Sequence, residues 1–107
     1  MRVAGIGCRP GTDHGVIIAA LEQVGGADAL ATIPERAPEL RPVATALGLR
    51  LHIVHVAGIA TPTESPRIRA AFGTGSVAEA AALALGGRLL APRRIIGPVT
   101  IAIAEVP

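Results

Sequence analysis

Arg2-Val3-Ala4-Gly5-Ile6-Gly7-Cys8-Arg9-Pro10-Gly11-Thr12 opens the chain and decides how it folds. Residues 2–7 read as a short buried strand, and Cys8 to Thr12 as a tight turn that delivers the chain into a helix. A strand, a glycine-rich turn and a helix N-terminus together gather backbone N–H groups and a positive helix end around one concavity, which favours an anionic ligand. Arg9 adds a planar guanidinium suited to carboxylates. Gly7, Cys8, Arg9, Gly11 and Thr12 are therefore candidate ligand residues. The plain alternative is that the glycines serve only a sharp strand-to-helix turn.

Outward from this turn, Thr12 is the expected N-cap, with Asp13 in the first turn where a negative charge meets the helix dipole. Val16, Ile17, Ala20, Leu21 and Val24 recur at helical spacing until Gly25-Gly26. Leu30-Ala31-Thr32-Ile33 is a short apolar strand ended by Pro34. A second helix starts near Pro38, turns Leu40, Val43, Ala44 and Leu47 inward and stops at Gly48. Leu51 to Val56 alternates as a strand. This β-α-β-α-β order predicts parallel pairing with helices covering the sheet.

Ala57 to Pro66 reads as a loop and Arg67 to Phe72 as a helical turn. Ser76 with Glu79 three residues later forms a capping box before the Ala-rich run to Leu85, and Gly86-Gly87 ends that helix. Residues 88–91 and 99–104 read as two strands joined closely enough for a hairpin. The expected fold is α/β: three α/β/α layers around a mixed, mostly parallel five-stranded sheet ending in a C-terminal hairpin, with residues 1–107 as a single domain.

Composition narrows the function. Half of the 107 residues are hydrophobic, yet there is one Phe and no Trp or Tyr, so the core is built from Ala, Val, Ile and Leu. All 10 basic residues are Arg, the formal charge is +2, and no block of like charge occurs. Without aromatic stacking platforms or a basic stripe, nucleic-acid binding is not expected. A single Cys excludes an internal disulfide and a Cys-clustered metal site, and no metal or cofactor is expected. The start resembles neither a signal nor a transit peptide, and no apolar run is long enough to span a bilayer. The expectation is a cytoplasmic protein with no membrane partner.

Gly5-x-Gly7 after a strand partly matches the dinucleotide fingerprint, but Pro10 stands at the third glycine position and no clear acidic residue closes the next strand. Cys8 sits where a helix start and Arg9 lower a thiol pKa, although lone cysteines are more often buried small hydrophobes. His52 and His55 differ in strand parity and would face opposite sides. Thr61 and Ser65 lie in one hydroxyl-rich loop, and Thr74, Gly75 and Ser76 in another that opens a helix; all five are candidate ligand residues, and the second loop reads equally as an anion site or as a plain capping loop. Glu79 is expected to complete the cap. Arg93 and Arg94 read either as a solvated hairpin tip or as a pair that reaches carboxylates bound at the loops.

Taken in order, Gly5-Ile6-Gly7-Cys8-Arg9 to Gly11-Thr12, Leu30-Ala31-Thr32-Ile33, Thr61-Pro62-x-x-Ser65, Gly73 to Ala82, Leu89-Leu90-Ala91-Pro92-Arg93 and Val99 to Ala104 resemble the CobE/CbiG C-terminal domain family of cobalamin biosynthesis. The resemblance spans essentially the whole chain. It departs from the family pattern where Arg36 and Arg93 or Arg94 stand in place of Lys, and where Gly15 replaces an acidic residue.

The resemblance implies a mixed sheet sandwiched by helices. In the anaerobic pathway it implies a domain of the hydrolase that opens the δ-lactone of cobalt-precorrin-5A; in the aerobic pathway the domain stands alone. Because the chain begins at the domain's first strand, the stand-alone form is expected. The implied partner is a precorrin or other corrinoid intermediate, together with other enzymes of the pathway. Such intermediates carry carboxylates around an apolar macrocycle, so Arg9, the residue 73–76 loop, Arg93 and Arg94 would have to converge on one edge of the sheet. The expected function is to bind such an anionic intermediate or hand it on; the alternatives are a pathway hydrolase using Glu64, His14 or Cys8, and an interaction module for a corrin-pathway methyltransferase.

Overall fold

Alternation along the first strand sets the layers. In β1 (Arg2–Cys8), Ala4 and Ile6 enter one core cluster, while Val3 and the glycines Gly5 and Gly7 face the other side. The computed structural model describes residues 1–107. Strand β1 pairs in parallel with β2 (Ala29–Thr32), and β2 in parallel with β3 (Arg50–Ile53). The crossover helices α1 (His14–Gln23) and α2 (Ala37–Leu47) both cover one face, where Ile17, Leu21, Leu40 and Val43 pack on Ala4, Ile6 and Leu30. A 3-10 turn, Pro34–Arg36, leads into α2.

After β3 the chain changes face. Helix α3 (Pro66–Phe72) and helix α4 (Val77–Leu83) lie on the opposite side, followed by β4 (Arg88–Leu89), β5 (Arg94–Ile96) and β6 (Val99–Glu105). The order is β3-β2-β1-β6-β4, with β5 also paired to β6. Strand β6 runs antiparallel to β1 from Arg2↔Glu105 to Cys8↔Val99. The α/β expectation of a mixed sheet between helical layers is met, with a parallel core and antiparallel C-terminal strands.

Glycine at position 5 has a purpose the turn does not explain. A Cβ there would run into the Ala78 carbonyl oxygen and the Ala82 backbone nitrogen, and would lie 2.9 Å from the Ala82 side chain. Residues Val77 to Ala82 of α4 are all buried. Glycine on the strand facing alanine on the helix lets α4 lie directly against β1. Gly7 is under no such constraint, because its Cβ would meet Val77 at an ordinary 3.6 Å.

Three local expectations are corrected. The N-cap of α1 is Asp13, whose carboxylate accepts from the Gly15 N–H at 2.9 Å, because the Thr12 hydroxyl is turned back onto the Arg9 carbonyl at 2.7 Å. Strand β3 stops at Ile53 rather than Val56. Its one neighbour, β2, ends at Thr32 just before Pro34, which has no N–H with which to extend a ladder. His55 therefore lies in the following loop, outside the parity argument. The sheet has six strands rather than five, because the stretch between the expected hairpin strands folds back as β5. Gly97, at φ 59°, makes the reversal into β6.

Candidate functional site

The C-terminal ends of β1 and β2 open into a cleft at the β1–β6 boundary, where the sheet order reverses. This is the position at which open α/β sheets hold ligands. The cleft has a volume of about 260 Å³. Gly7, Ile33, Val77, Ala78 and Thr100 line it from the sheet and α4, and Ile68, Ala71 and Phe72 from α3. Four of the ten arginines, Arg9, Arg36, Arg67 and Arg93, complete the lining, and no Asp or Glu does. The result is an apolar floor rimmed by guanidinium groups.

Each arginine is placed by a different piece of backbone. Arg9 follows β1, its N–H bonded to the Pro98 carbonyl at 3.2 Å and its carbonyl accepting from the Thr12 N–H and hydroxyl. Arg36 ends the 3-10 turn with its side chain only 18% exposed. Its Nη1 forms an ion pair with Glu39 Oε2 at 3.6 Å, one helical turn on. Arg67 stands in the first turn of α3. Arg93 is held by its backbone N–H, which donates to Glu79 Oε2 at 2.8 Å.

Glu79 is the hidden anchor of this region. It is fully buried, and its two oxygens accept from the Thr63 N–H at 2.9 Å, the Thr63 hydroxyl at 2.8 Å and the Arg93 N–H. Only half of the expected capping box forms. Ser76 Oγ accepts from the Glu79 N–H at 3.3 Å, while the Glu79 carboxylate reaches sideways to pin the 61–66 loop and the β4–β5 connection onto α4.

Of the residues singled out in the sequence, Gly7, Cys8, Arg9 and Arg93 meet in this cleft and the others do not. The opening turn already holds carboxylates of its own: the Gly11 N–H donates to Glu39 Oε2 at 2.9 Å, and Asp13 caps α1. Gly11 and Thr12 thus serve the turn. Thr61 donates to the Thr63 carbonyl, Thr74 to the Ile59 carbonyl, and Ser65 and Ser76 cap α3 and α4. Gly75 is packed against the Thr63 carbonyl and the Glu64 carboxylate. Arg94 points away from Arg93 and donates to the Gln23 carbonyl at the end of α1. Arg36, Arg67, Ile68 and Phe72 were not picked out as ligand residues. The spacing of Arg67, Ile68, Ala71 and Phe72, which puts them on one side of a helix, was the available pointer.

Burial pushes the Cys8 thiol above its ordinary pKa, and the nearby Glu39 charge adds to this. Hydrogen bonding to Thr12 and the charge of Arg36 oppose the shift without reversing it. Glu64 is held below the usual carboxylate range by its hydrogen bonds to Arg69, at 2.8 and 2.9 Å. No group of three or more His, Cys, Asp or Glu side chains is arranged to hold a metal ion. No helix is long and apolar enough to cross a membrane.

The family described as "Cobalamin synthesis G C-terminus" matches residues 2–104. The chain belongs to this family. Two solved structures agree with that placement. One is CobE, a protein from the cobalamin (vitamin B12) biosynthetic pathway, at 32% identity and a TM-score of 0.77, covering 100% of this chain and 91% of that one. The other is the cobalamin biosynthesis protein chiG from Agrobacterium tumefaciens, at 38% identity and a TM-score of 0.72, covering 99% and 98%. No curated protein matches the chain. As a CobE/CbiG-like protein of cobalamin biosynthesis, the chain has its arginine-rimmed cleft at the carboxyl end of the family's parallel strands.

Proposed function

We propose that this protein binds an anionic precorrin or corrinoid intermediate of cobalamin biosynthesis in the arginine-rimmed cleft and passes it on without changing it. The observation that carries this reading is the convergence of Arg9, Arg36, Arg67 and Arg93 around an apolar floor with no opposing carboxylate in the lining. Guanidinium groups bind carboxylates through charge-assisted, often bidentate hydrogen bonds, and an apolar floor suits the macrocycle between them. Arg36 brings a largely buried guanidinium whose one carboxylate neighbour, Glu39, lies outside the cleft lining.

Binding is favoured over hydrolysis by where the hydrolytic candidates lie. Of Glu64, His14 and Cys8, only Cys8 lines the cleft, and burial holds its thiol in the poorly nucleophilic protonated form. Glu64 is engaged with Arg69, and His14 is an exposed first residue of α1 beside Asp13. Anaerobic titration with hydrogenobyrinic acid, followed by tetrapyrrole absorbance and product mass, tests the reading. A spectral shift with unchanged mass is expected, with about 10- to 100-fold weaker binding in Arg93→Ala, from the roughly 1.5–3 kcal/mol of a hydrogen bond to a charged group. A changed mass at catalytic protein concentration would make the protein a pathway enzyme. No binding by the wild-type chain would end the proposal.

A further inference from the structure

The chain has one aromatic side chain, Phe72, in a core otherwise made of aliphatic residues. Phe72 is not in that core. It is the last residue of α3, a helix with no buried residue, and it is only partly covered. Its surroundings are two clefts. The arginine-rimmed cleft ends against Ile33, Ala71 and Phe72, and a second cleft of about 530 Å³ begins at the same three side chains. The second cleft runs on past the end of β3, with Glu35 and His55 as its only titratable residues. The two clefts adjoin at these three side chains, one lined by four arginines and the other by none.

Size decides how a ligand uses these clefts. At about 260 Å³ the arginine-rimmed part falls below the roughly 300–1,000 Å³ of pockets that enclose drug-sized molecules. A carboxylated macrocycle therefore places only one edge among the arginines, and its body must extend over the shared wall. We infer that Phe72 is the stacking platform for the conjugated body of the ligand, which occupies both clefts with its anionic edge on the arginines. The inference rests on the reading of the cleft as a corrinoid site and specifies it. The ligand is a large planar conjugated acid rather than a small di- or tricarboxylate, and Phe72 is its specificity-determining contact. A Leu would fill the α3 surface as well as Phe, but it offers no π-face.

Hydrogenobyrinic acid is titrated into wild type, Phe72→Leu and Arg93→Ala at low and high salt, with thermal melting confirming that each variant is folded. Stacking of an aromatic pair, about 0.5–1.5 kcal/mol beyond burial, corresponds to roughly 2- to 13-fold in affinity. Phe72→Leu is expected to weaken binding by such a factor at both salt concentrations, whereas the loss in Arg93→Ala shrinks as salt screens the charges. Because the chain has no Trp, Phe72→Trp supplies a single fluorophore whose emission the bound macrocycle must quench. Wild-type affinity in Phe72→Leu, or an unquenched tryptophan under saturating ligand, overturns the inference while leaving the arginine site standing. Absence of binding by wild type overturns both.

Discussion

Replacing Glu79 by Gln changes one atom in the interior and is expected to loosen the site from behind. Glu79 Oε2 accepts from the Arg93 N–H and the Thr63 hydroxyl, and Oε1 accepts from the Thr63 N–H. An amide supplies one acceptor oxygen. With that oxygen at the Oε2 position, the amide NH₂ faces the Thr63 N–H, donor against donor. With the amide reversed, the Arg93 N–H is orphaned instead. Either way a buried donor loses its partner, at about 1–3 kcal/mol. At about 4 °C per kcal/mol for a domain near this size, the melting temperature should fall by roughly 4–12 °C. Arg93 lines the cleft and is held there through its N–H bond to Glu79, so the same variant should bind hydrogenobyrinic acid more weakly although Glu79 does not line the cleft. Differential scanning calorimetry and the tetrapyrrole titration read the two effects. A melting temperature within 2 °C of wild type would refute the view of Glu79 as the pin of this region.

Gly5→Ala should prevent stable folding, because its methyl meets the α4 backbone, while Gly7→Ala should melt within a few degrees of wild type; circular dichroism distinguishes them. Cys8 should react with iodoacetamide at neutral pH more slowly than a free cysteine and accelerate only at higher pH, since burial raises its pKa; a fast neutral reaction would contradict that environment. The Gly11 N–H chiefly holds the Glu39 pKa below the ordinary 4.5. The stability this adds is complete above the ordinary carboxyl pKa and is lost as pH falls through the lower folded value. Wild type should therefore lose melting temperature below about pH 4.5 more steeply than Glu39→Gln.

The layers of the fold were legible because the first half of the chain repeats a simple pattern. Apolar runs ended by Gly25-Gly26, Pro34 and Gly48 mark helix, strand and helix in turn, and the Ser76 cap was visible from its spacing. What could not be read were choices between equally good local partners. Thr12 and Asp13 are both good caps, and the competition was decided by a carbonyl, that of Arg9, which only the folded turn presents. The role of Gly5 depends on a helix more than 70 residues later. Strand β5 hid between Pro92 and Pro98, since three residues carry too little pattern to announce a strand.

The site was half legible for the same reason. Arg9 and Arg93 stood out beside glycine and proline, and they do share a cleft. Arg94 was grouped with Arg93 by adjacency, but Arg94 opens β5 and reaches the end of α1, while Arg93 belongs to the preceding connection and lines the cleft. The hydroxyls of Thr61, Ser65, Thr74 and Ser76 looked like ligand groups because loop-capping and ligand-binding draw on the same residue types. Arg36 and Arg67 come from two different connections that only the topology brings to one place.

The central claim is that the arginines around this cleft hold an anionic tetrapyrrole. Its most direct test is an anaerobic hydrogenobyrinic acid titration of the wild-type protein beside Arg36→Ala, the variant that removes a largely buried guanidinium from the cleft lining. The account predicts a saturable absorbance shift without change of mass, at least tenfold weaker in the folded variant, from the roughly 1.5–3 kcal/mol of a charge-assisted bond. Equal binding by the two proteins, or none by either, would contradict it.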